Sequence, residues 1–369
     1  LGGITLLCKF DGQRVTMASQ IAGADETVSS LYSVKSEQAT MLSFDTYNYL
    51  VHYFGQPQGS MADDPNGTLG GDYEFVISDA TADRIELKGK KYGNRIVMKA
   101  FSADQTWKQY LTRIKKVEDD AFFYEYDLRM DGLYTGQMLR SNYTFIVTYY
   151  DEVGKVHQKT VPFMFTTDGM RLHEPVTIDG QTMQNFVWKN EEISFVCTDE
   201  GATEVKLAGV YTAGYQSYDY YPGTYQMDFY RLNDATNQME VASQEIQLVK
   251  DEDGKSYWLK GLEYDILVTY DKPRGGLSIL PQFLKKVQGG YVYLAMWDLM
   301  NDYVLRSSAI GLISYPTTDG IYLVDNGVWM GEISGFIFGV YDSQDEEASF
   351  MGYTDAVAVI RLIKKTIEE

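Results

Sequence analysis

The side chains that most often carry chemistry are few or scattered in this chain. His52, His157 and His173 are its 3 histidines, and none has a second His or Cys at the spacing of a metal site. Each reads as an ordinary strand or loop residue. The signatures of nucleophilic and phosphate chemistry are missing as well. There is no G-x-S-x-G elbow, no G-x-x-x-x-G-K-[ST] loop and no G-x-G-x-x-G turn after a strand. The two cysteines, Cys8 and Cys197, fall on the apolar register of expected strands (Ile4, Leu6, Cys8, Phe10; Ile193, Phe195, Cys197) and read as small buried thiols. No catalytic residue, metal ligand or cofactor follows from these positions.

Carboxylates are plentiful, 52 against 32 basic side chains, for a net charge of −20. Glycosidase-type hydrolysis needs two of them about 5–9 Å apart, a distance that only the fold sets. Asp119-Asp120 and Asp345-Glu346-Glu347 read as solvated turns. The segment Met61 to Gly67 offers Asp63, Asp64 and Asn66 as oxygen ligands for calcium, but it lacks the register and closing Glu of an EF-hand and reads as a polar loop. Asn66-Gly67-Thr68 is a glycosylation sequon, relevant only in a source that modifies such sites.

Two stretches are more informative. Arg84, Lys88, Lys90, Lys91, Arg95 and Lys99 lie on a candidate strand pair. In so acidic a chain this local positive surface could contact an anion or a partner. The plainer alternative is an exposed sheet face or a lysine-protected edge. The second stretch holds Tyr211, Tyr215, Tyr218, Tyr220, Tyr221 and Tyr225 among Gly214, Pro222 and Gly223. It reads as a loop whose amphipathic rings would bind a ligand such as a glycan or peptide, or a protein partner. The alternative is rings packed as core across the end of a barrel.

The elements that must hold these residues are mostly strands. Thirty tyrosines favour them, and Asp-Gly recurs at 11–12, 131–132, 168–169, 179–180, 253–254 and 319–320, with Asn-Gly at 66–67 and 326–327. Such pairs suit the tight turns of hairpins because Asp and Asn tolerate positive φ and Gly prefers it. Between them the hydrophobic period is often two, as in Tyr73, Phe75, Ile77 and in Ile85, Leu87. One segment breaks the pattern. Ser102 or Asp104 would cap a helix whose apolar face is Trp107, Tyr110, Leu111, Ile114 and Val117. Val357 to Ile363 reads as a strand. The fold class is therefore mainly β, with antiparallel lipocalin-like barrel or sandwich domains and one or two helices. Residues 1–120 form a β domain with a closing helix, 121–204 a second β region continuous with the first or separate from it, and 205–369 a C-terminal β domain. The negative charge argues against nucleic acid, and no apolar run reaches the ~20 residues of a membrane helix.

Four segments resemble a Bacteroidetes family of predicted lipoproteins carrying a domain of unknown function. They are Leu7-Cys8-Lys9-Phe10-Asp11-Gly12 with Val15 to Ala18; Val34 to Tyr47 continuing to Phe54; Gly70 to Phe75 with Leu87 to Lys91 and Gly93 to Arg95; and Asp168 to Leu172 with Glu174-Pro175 and Gly180 to Trp188. The resemblance implies a secreted protein held at the outer membrane by lipid on an N-terminal cysteine upstream of Leu1. Cys8, preceded by Leu7 where a small residue is needed, does not suit that role. It also implies genes beside SusC- and SusD-like uptake proteins, and it transfers no catalytic residue. The expected function is a non-catalytic, lipid-anchored cell-surface or periplasmic protein that binds a nutrient or an uptake-complex partner. The alternatives are a carboxylate-dependent hydrolase and a purely structural accessory of a surface complex.

Overall fold

The computed structural model describes residues 2–36, 39–55, 69–151, 153–233, 236, 238–345 and 347–365. The Met61–Gly67 segment and the Asn66 sequon lie outside the described residues. Antiparallel strands dominate, and the Asp-Gly pairs explain much of why. Each of the six joins two consecutive, mutually paired strands. At Asp131-Gly132 and Asp179-Gly180 both residues take positive φ (50° and 79°; 46° and 77°), the geometry whose twist matches a two-residue hairpin. Asn326-Gly327 differs. Gly327 has φ 76°, but the pair sits in a loop where Asp325 and Asn326 accept hydrogen bonds from the next amides, Gly327 N and Val328 N, at 2.7 and 3.2 Å. Asx turns satisfy that backbone without a hairpin partner.

Residues Leu1–Val210 form one compact unit. Its first part is an open sheet of seven strands between Leu6 and Lys99, each paired with the next in sequence. Its second part is a closed barrel of eight strands between Glu125 and Val210, in which the last strand, Val205–Val210, pairs with the first, Glu125–Met130. The barrel interior is filled by side chains. Tyr126, Phe145, Phe163, Phe165 and Phe195 are all at most 1% exposed, and Phe145 stacks on Phe163 with centroids 4.3 Å apart.

The helix Trp107–Asp120 connects the two sheets. Its apolar stripe is the one expected, but its cap is Thr106, not Ser102 or Asp104. Thr106 accepts from Gln109 N at 3.2 Å while Gln109 returns its side-chain oxygen to Thr106 N at 2.9 Å. Only a residue three positions before a Gln or Glu can make that reciprocal pair. Leu111, fully buried, packs with Leu7 and Ala18 of the open sheet, whereas Ile114 and Val117 belong to the barrel core. Lys115 Nζ donates to the carbonyls of Gln20 and Ala22, both at 2.8 Å. At the C-terminus, Tyr126 Oη and Arg140 Nη1 both donate to Ala121 O, at 2.8 and 3.0 Å, supplying donors where the helix leaves carbonyls unpaired.

Residues Tyr211–Glu369 form a second unit with twelve strands in one sheet. Eight of them close on themselves, because the final strand, Phe350–Lys364, pairs with the first, Gly223–Asn233. That confirms a strand at Val357 to Ile363. The same long strand also carries an extension: Gly335–Tyr341, then Gly290–Asp298, then Gln282–Val287 at the outer edge. No helix among the described residues is long and apolar enough to cross a membrane, which says nothing of strands.

Thr106→Ala removes half of the capping box and should lower the stability of the Leu1–Val210 unit by about 1 kcal/mol, with Thr106→Ser close to neutral. Leu111→Ala should cost more, roughly 2–5 kcal/mol. Urea midpoints followed by a probe within that unit would measure both.

Candidate functional site

The tyrosine stretch forms a lid on the closed strands of the second unit. Part of it is regular structure and not loop: Tyr218–Tyr220 make one 3-10 turn, and a strand starts at Gly223. The six rings then divide. Tyr221 and Tyr225 are 1% and 0% exposed and belong to the core. Tyr218 is half-buried and stacks on Tyr257 at 4.7 Å. Tyr215 is half-buried against Tyr211, with centroids 4.4 Å apart. Tyr211 and Tyr220 are exposed, at 46% and 39%.

Hydroxyl groups explain the division. Tyr225 Oη donates to Tyr221 O at 2.7 Å, Tyr221 Oη to Gly275 O at 2.8 Å and Tyr218 Oη to Ser256 O at 2.8 Å. Tyr257 Oη donates to Tyr218 O at 2.7 Å, and Tyr270 Oη to Gln216 O at 2.9 Å. Each phenol thus packs its ring and donates to a main-chain carbonyl; those of Ser256 and Gly275 also accept from Asp251 N and Gln216 N, so these hydroxyls add a second bond there. Burial holds the phenols of Tyr225, Tyr257 and Tyr270 well above the usual tyrosine range, so they remain donors. Gly275, with φ 62°, lets the segment cross closely: a Cβ there would lie 2.5 Å from Tyr215 Cδ2 and 2.7 Å from Gln216 N. On the outer side Lys364 Nζ sits 4.9 Å above the Tyr220 ring and Lys250 pairs with Asp219. The result is a surface on which the exposed rings of Tyr211 and Tyr220 stand with a cation over one of them. Tyr257 and Tyr270, which meet the lid, stand in apolar strand runs (Tyr257-Trp258-Leu259 and Ile266-Leu267-Val268) with no local pattern that marks their contact with it.

The basic stretch lies where two strands, Arg84–Gly89 and Arg95–Lys99, pair, with Arg84 opposite Lys99 and Lys88 opposite Arg95. Arg95–Lys99 is the terminal strand of the open sheet. Glu86 pairs with Arg84 at 2.5 Å and Arg95 at 3.3 Å, Glu74 pairs with Lys90 at 3.2 Å, and Lys91 Nζ lies 4.7 Å over the Tyr92 ring. Much of the charge is therefore locally compensated, as on an edge guarded by lysines. The connecting turn is held by Asp72, which is 7% exposed. It accepts from Lys91 N, Tyr92 N and Asn94 N at 2.8, 3.0 and 3.2 Å and from Asn94 Nδ2 at 2.7 Å. Burial raises its pKa, but these donors together outweigh that and hold it below the ordinary range. Gly89 makes the fit possible, since a Cβ would fall 1.9 Å from Asp72 Oδ2.

The remaining titratable candidates are dispersed. His52 Nδ1 lies 3.0 Å from Asn48 O and its ring stacks on Tyr73; His157 Nε2 lies 2.9 Å from Asp151 Oδ2; His173 is exposed. Both cysteines are free. Cys197 is buried and Cys8 half-buried, and desolvation pushes their thiols up to about 11 and about 12. Among the described residues, no three His, Cys, Asp or Glu side chains gather as metal ligands. Asp228 and Asp319 share Arg361, at 2.8 and 3.0 Å, and both are held low, chiefly by hydrogen bonds from Arg361 and from Thr317 respectively. A general acid would need the opposite shift.

Fold and site together define a multi-sheet antiparallel β protein with a tyrosine-capped end. Residues 1–190 match the domain of unknown function DUF4302, more than half of the chain, and the protein belongs to that family. Residues 198–337 match a second domain of unknown function, DUF4987. No curated protein matches the chain. Among solved structures, a protein of unknown function from the DUF3598 family of Nostoc punctiforme aligns with 67% of this chain and 98% of its own at 9% identity, with a TM-score of 0.17.

Tyr257→Phe leaves Tyr218 O without its donor and should destabilise the second unit by roughly 1–3 kcal/mol, accelerating proteolytic cleavage between residues 211 and 222. Asp72→Asn should cost roughly 1–3 kcal/mol near pH 6. Because Asp72 is depressed when folded, its contribution is complete above the unfolded value of about 3.9 and disappears as pH falls through the folded one. The difference between the two proteins, read from urea midpoints at pH 6 down to pH 2, should therefore shrink at the acid end.

Proposed function

We propose that this protein is a non-catalytic binding protein of the cell surface or periplasm, which holds a nutrient (a glycan or peptide) or a component of an uptake complex. The observation that carries the reading is the lid: Tyr211 and Tyr220 present exposed ring surface on a segment whose other tyrosines fix it by hydrogen bonds to main chain. Preorganised aromatic surface binds with little ordering cost, and the rings accept both sugar faces and peptide side chains. Both closed sheets are filled with their own side chains, which leaves contact to outer surfaces.

Attachment by lipid, an origin in Bacteroidetes and association with SusC- and SusD-like proteins are part of the same proposal. Their support is the resemblance of four segments in the first 190 residues, the region that the DUF4302 family covers. The basic edge at Arg84 to Lys99 is the second candidate contact, for an anion or the acidic flank of a partner.

Titration of the purified chain against glycan and peptide panels should find a ligand whose affinity falls about tenfold in Tyr211→Ala/Tyr220→Ala without a change in melting temperature. Binding indifferent to those substitutions removes the lid from the proposal. Co-purification with outer-membrane uptake proteins, with no small ligand bound, would instead favour a structural accessory.

A further inference from the structure

A second aromatic surface lies on the sheet extension of the second unit, far along the chain from the lid tyrosines. On one face of four neighbouring strands stand Phe283, Tyr293, Tyr291, Tyr341 and Phe350. Register places Phe283 opposite Tyr293, Tyr291 opposite Tyr341 and Tyr341 opposite Phe350. The rings touch in series: Phe283–Tyr293 at 5.3 Å, Tyr293–Tyr341 at 5.7 Å and Tyr341–Phe350 at 5.5 Å. Phe283 and Phe350 at the two ends are each 44% exposed, Tyr293 and Tyr291 are half-buried, and Tyr341 between them is buried at 4%. Cations sit directly on the row, with Arg306 Cζ 4.8 Å over Tyr293 and 4.2 Å over Tyr341, and Lys286 Nζ 5.3 Å over Tyr291. The opposite face of the same strands belongs to the core, through Val292, Leu294, Phe336 and Phe338. Core packing accounts for Tyr341, and for Ala295, Trp297 and Ile337 further along the outer face, but not for the exposed Phe283 and Phe350.

We infer that this strip is a binding platform for a short, extended, neutral glycan. Size comes first. Four strands ~4.8 Å apart span ~15–20 Å, and same-face residues along a strand are ~7 Å apart, so the strip covers on the order of 200 Å². A stable protein interface takes about 800 Å² from each partner. A narrow row of rings matches a narrow chain of rings. A peptide adding as a further strand is disfavoured, because the outer strand Gln282–Val287 carries a bulge between Phe283 and Lys285 and exposes Lys285 and Lys286, both of which blunt an edge. The rim also has no single sign. Arg306 and Lys286 stand over the rings, while Asp342 and Asp345 are exposed in the turn that joins Tyr341 to Phe350. Pyranose chemistry fits this set: the C–H face lies on the rings, and the hydroxyls meet cationic donors on one side and carboxylate acceptors on the other. A polyanion would meet the carboxylates.

The inference rests on the reading of this chain as a binding protein but not on the lid, and different variants test the two. Linear neutral oligosaccharides of two to six residues (gluco-, manno- and xylo-series) would be titrated calorimetrically into the full chain. Affinity should rise with length until the strip is covered, change little with salt, and fall about tenfold in both Phe283→Ala and Phe350→Ala, which, being exposed, should melt normally. Tyr211→Ala/Tyr220→Ala should leave it unchanged. Loss in the tyrosine variant with retention in the phenylalanine variants would overturn the strip and keep the lid. Binding of an acidic polysaccharide with steep salt dependence, or no binding by any member at millimolar concentration, would overturn it as well.

Discussion

One helix has to satisfy two cores at once. Within Trp107–Asp120, Leu111 completes the small apolar cluster beneath the open sheet, and Ile114 and Val117 complete the barrel. Successive positions three apart point about 60° from each other around a helix, enough for one element to serve two walls. Its ends are fixed independently of that packing, by the Thr106–Gln109 box and by Tyr126 and Arg140 at Ala121. An open sheet of seven strands has a face to cover: Leu111 covers its Leu7–Ala18 corner, while Leu50 and Val51 of the short helix Tyr49–His52 pack into its larger core. Lys115 adds a direct tie, its ammonium satisfying two carbonyls of the segment that follows the second strand.

The second unit solves the same problem by other means. Its final strand is fifteen residues long and pairs on both sides, closing eight strands and carrying an extension of four more. A bulge near Val359, whose φ is 50°, lets one strand serve both tasks by changing its register midway. Closure leaves an open end, and the tyrosines fill it. The choice of tyrosine over phenylalanine is explained by the hydroxyls, which tie the lid to the main chain of the strands and turns beneath it and of the lid itself. The same residue type then has two separate uses: buried rings hold the lid in place, and two exposed rings make its outer surface.

The turns were legible in the sequence because their cause is local: an Asp-Gly pair carries its preferred φ wherever it stands. The helix was legible for the same reason, since its period of 3–4 is written in consecutive residues. Its cap was misplaced by a few positions because several polar residues precede it and only Thr106 stands three before Gln109. Asn326-Gly327 shows the limit of local chemistry, as the φ was right while the pairing of flanking strands was not a local matter. At the lid, the aromatic density was plain, but exposed Tyr220 and buried Tyr221 are adjacent and chemically identical. What separates them is the position of Gly275, Tyr257 and Tyr270, dozens of residues away.

By itself, then, the sequence determined a strand-rich chain, its hairpins, its one long helix and its strongly acidic surface, all of which follow from period, turn chemistry and charge within a few residues. Tertiary structure alone decided which strands close into a ring and which stay open, because closure depends on pairings such as Gly223–Asn233 with Phe350–Lys364, more than a hundred residues apart. It also decided which tyrosines reach solvent, and it aligned Phe283, Tyr293, Tyr341 and Phe350 on one face. Ring faces become a binding surface only when strands from distant parts of the chain set them side by side, and no local pattern encodes that register.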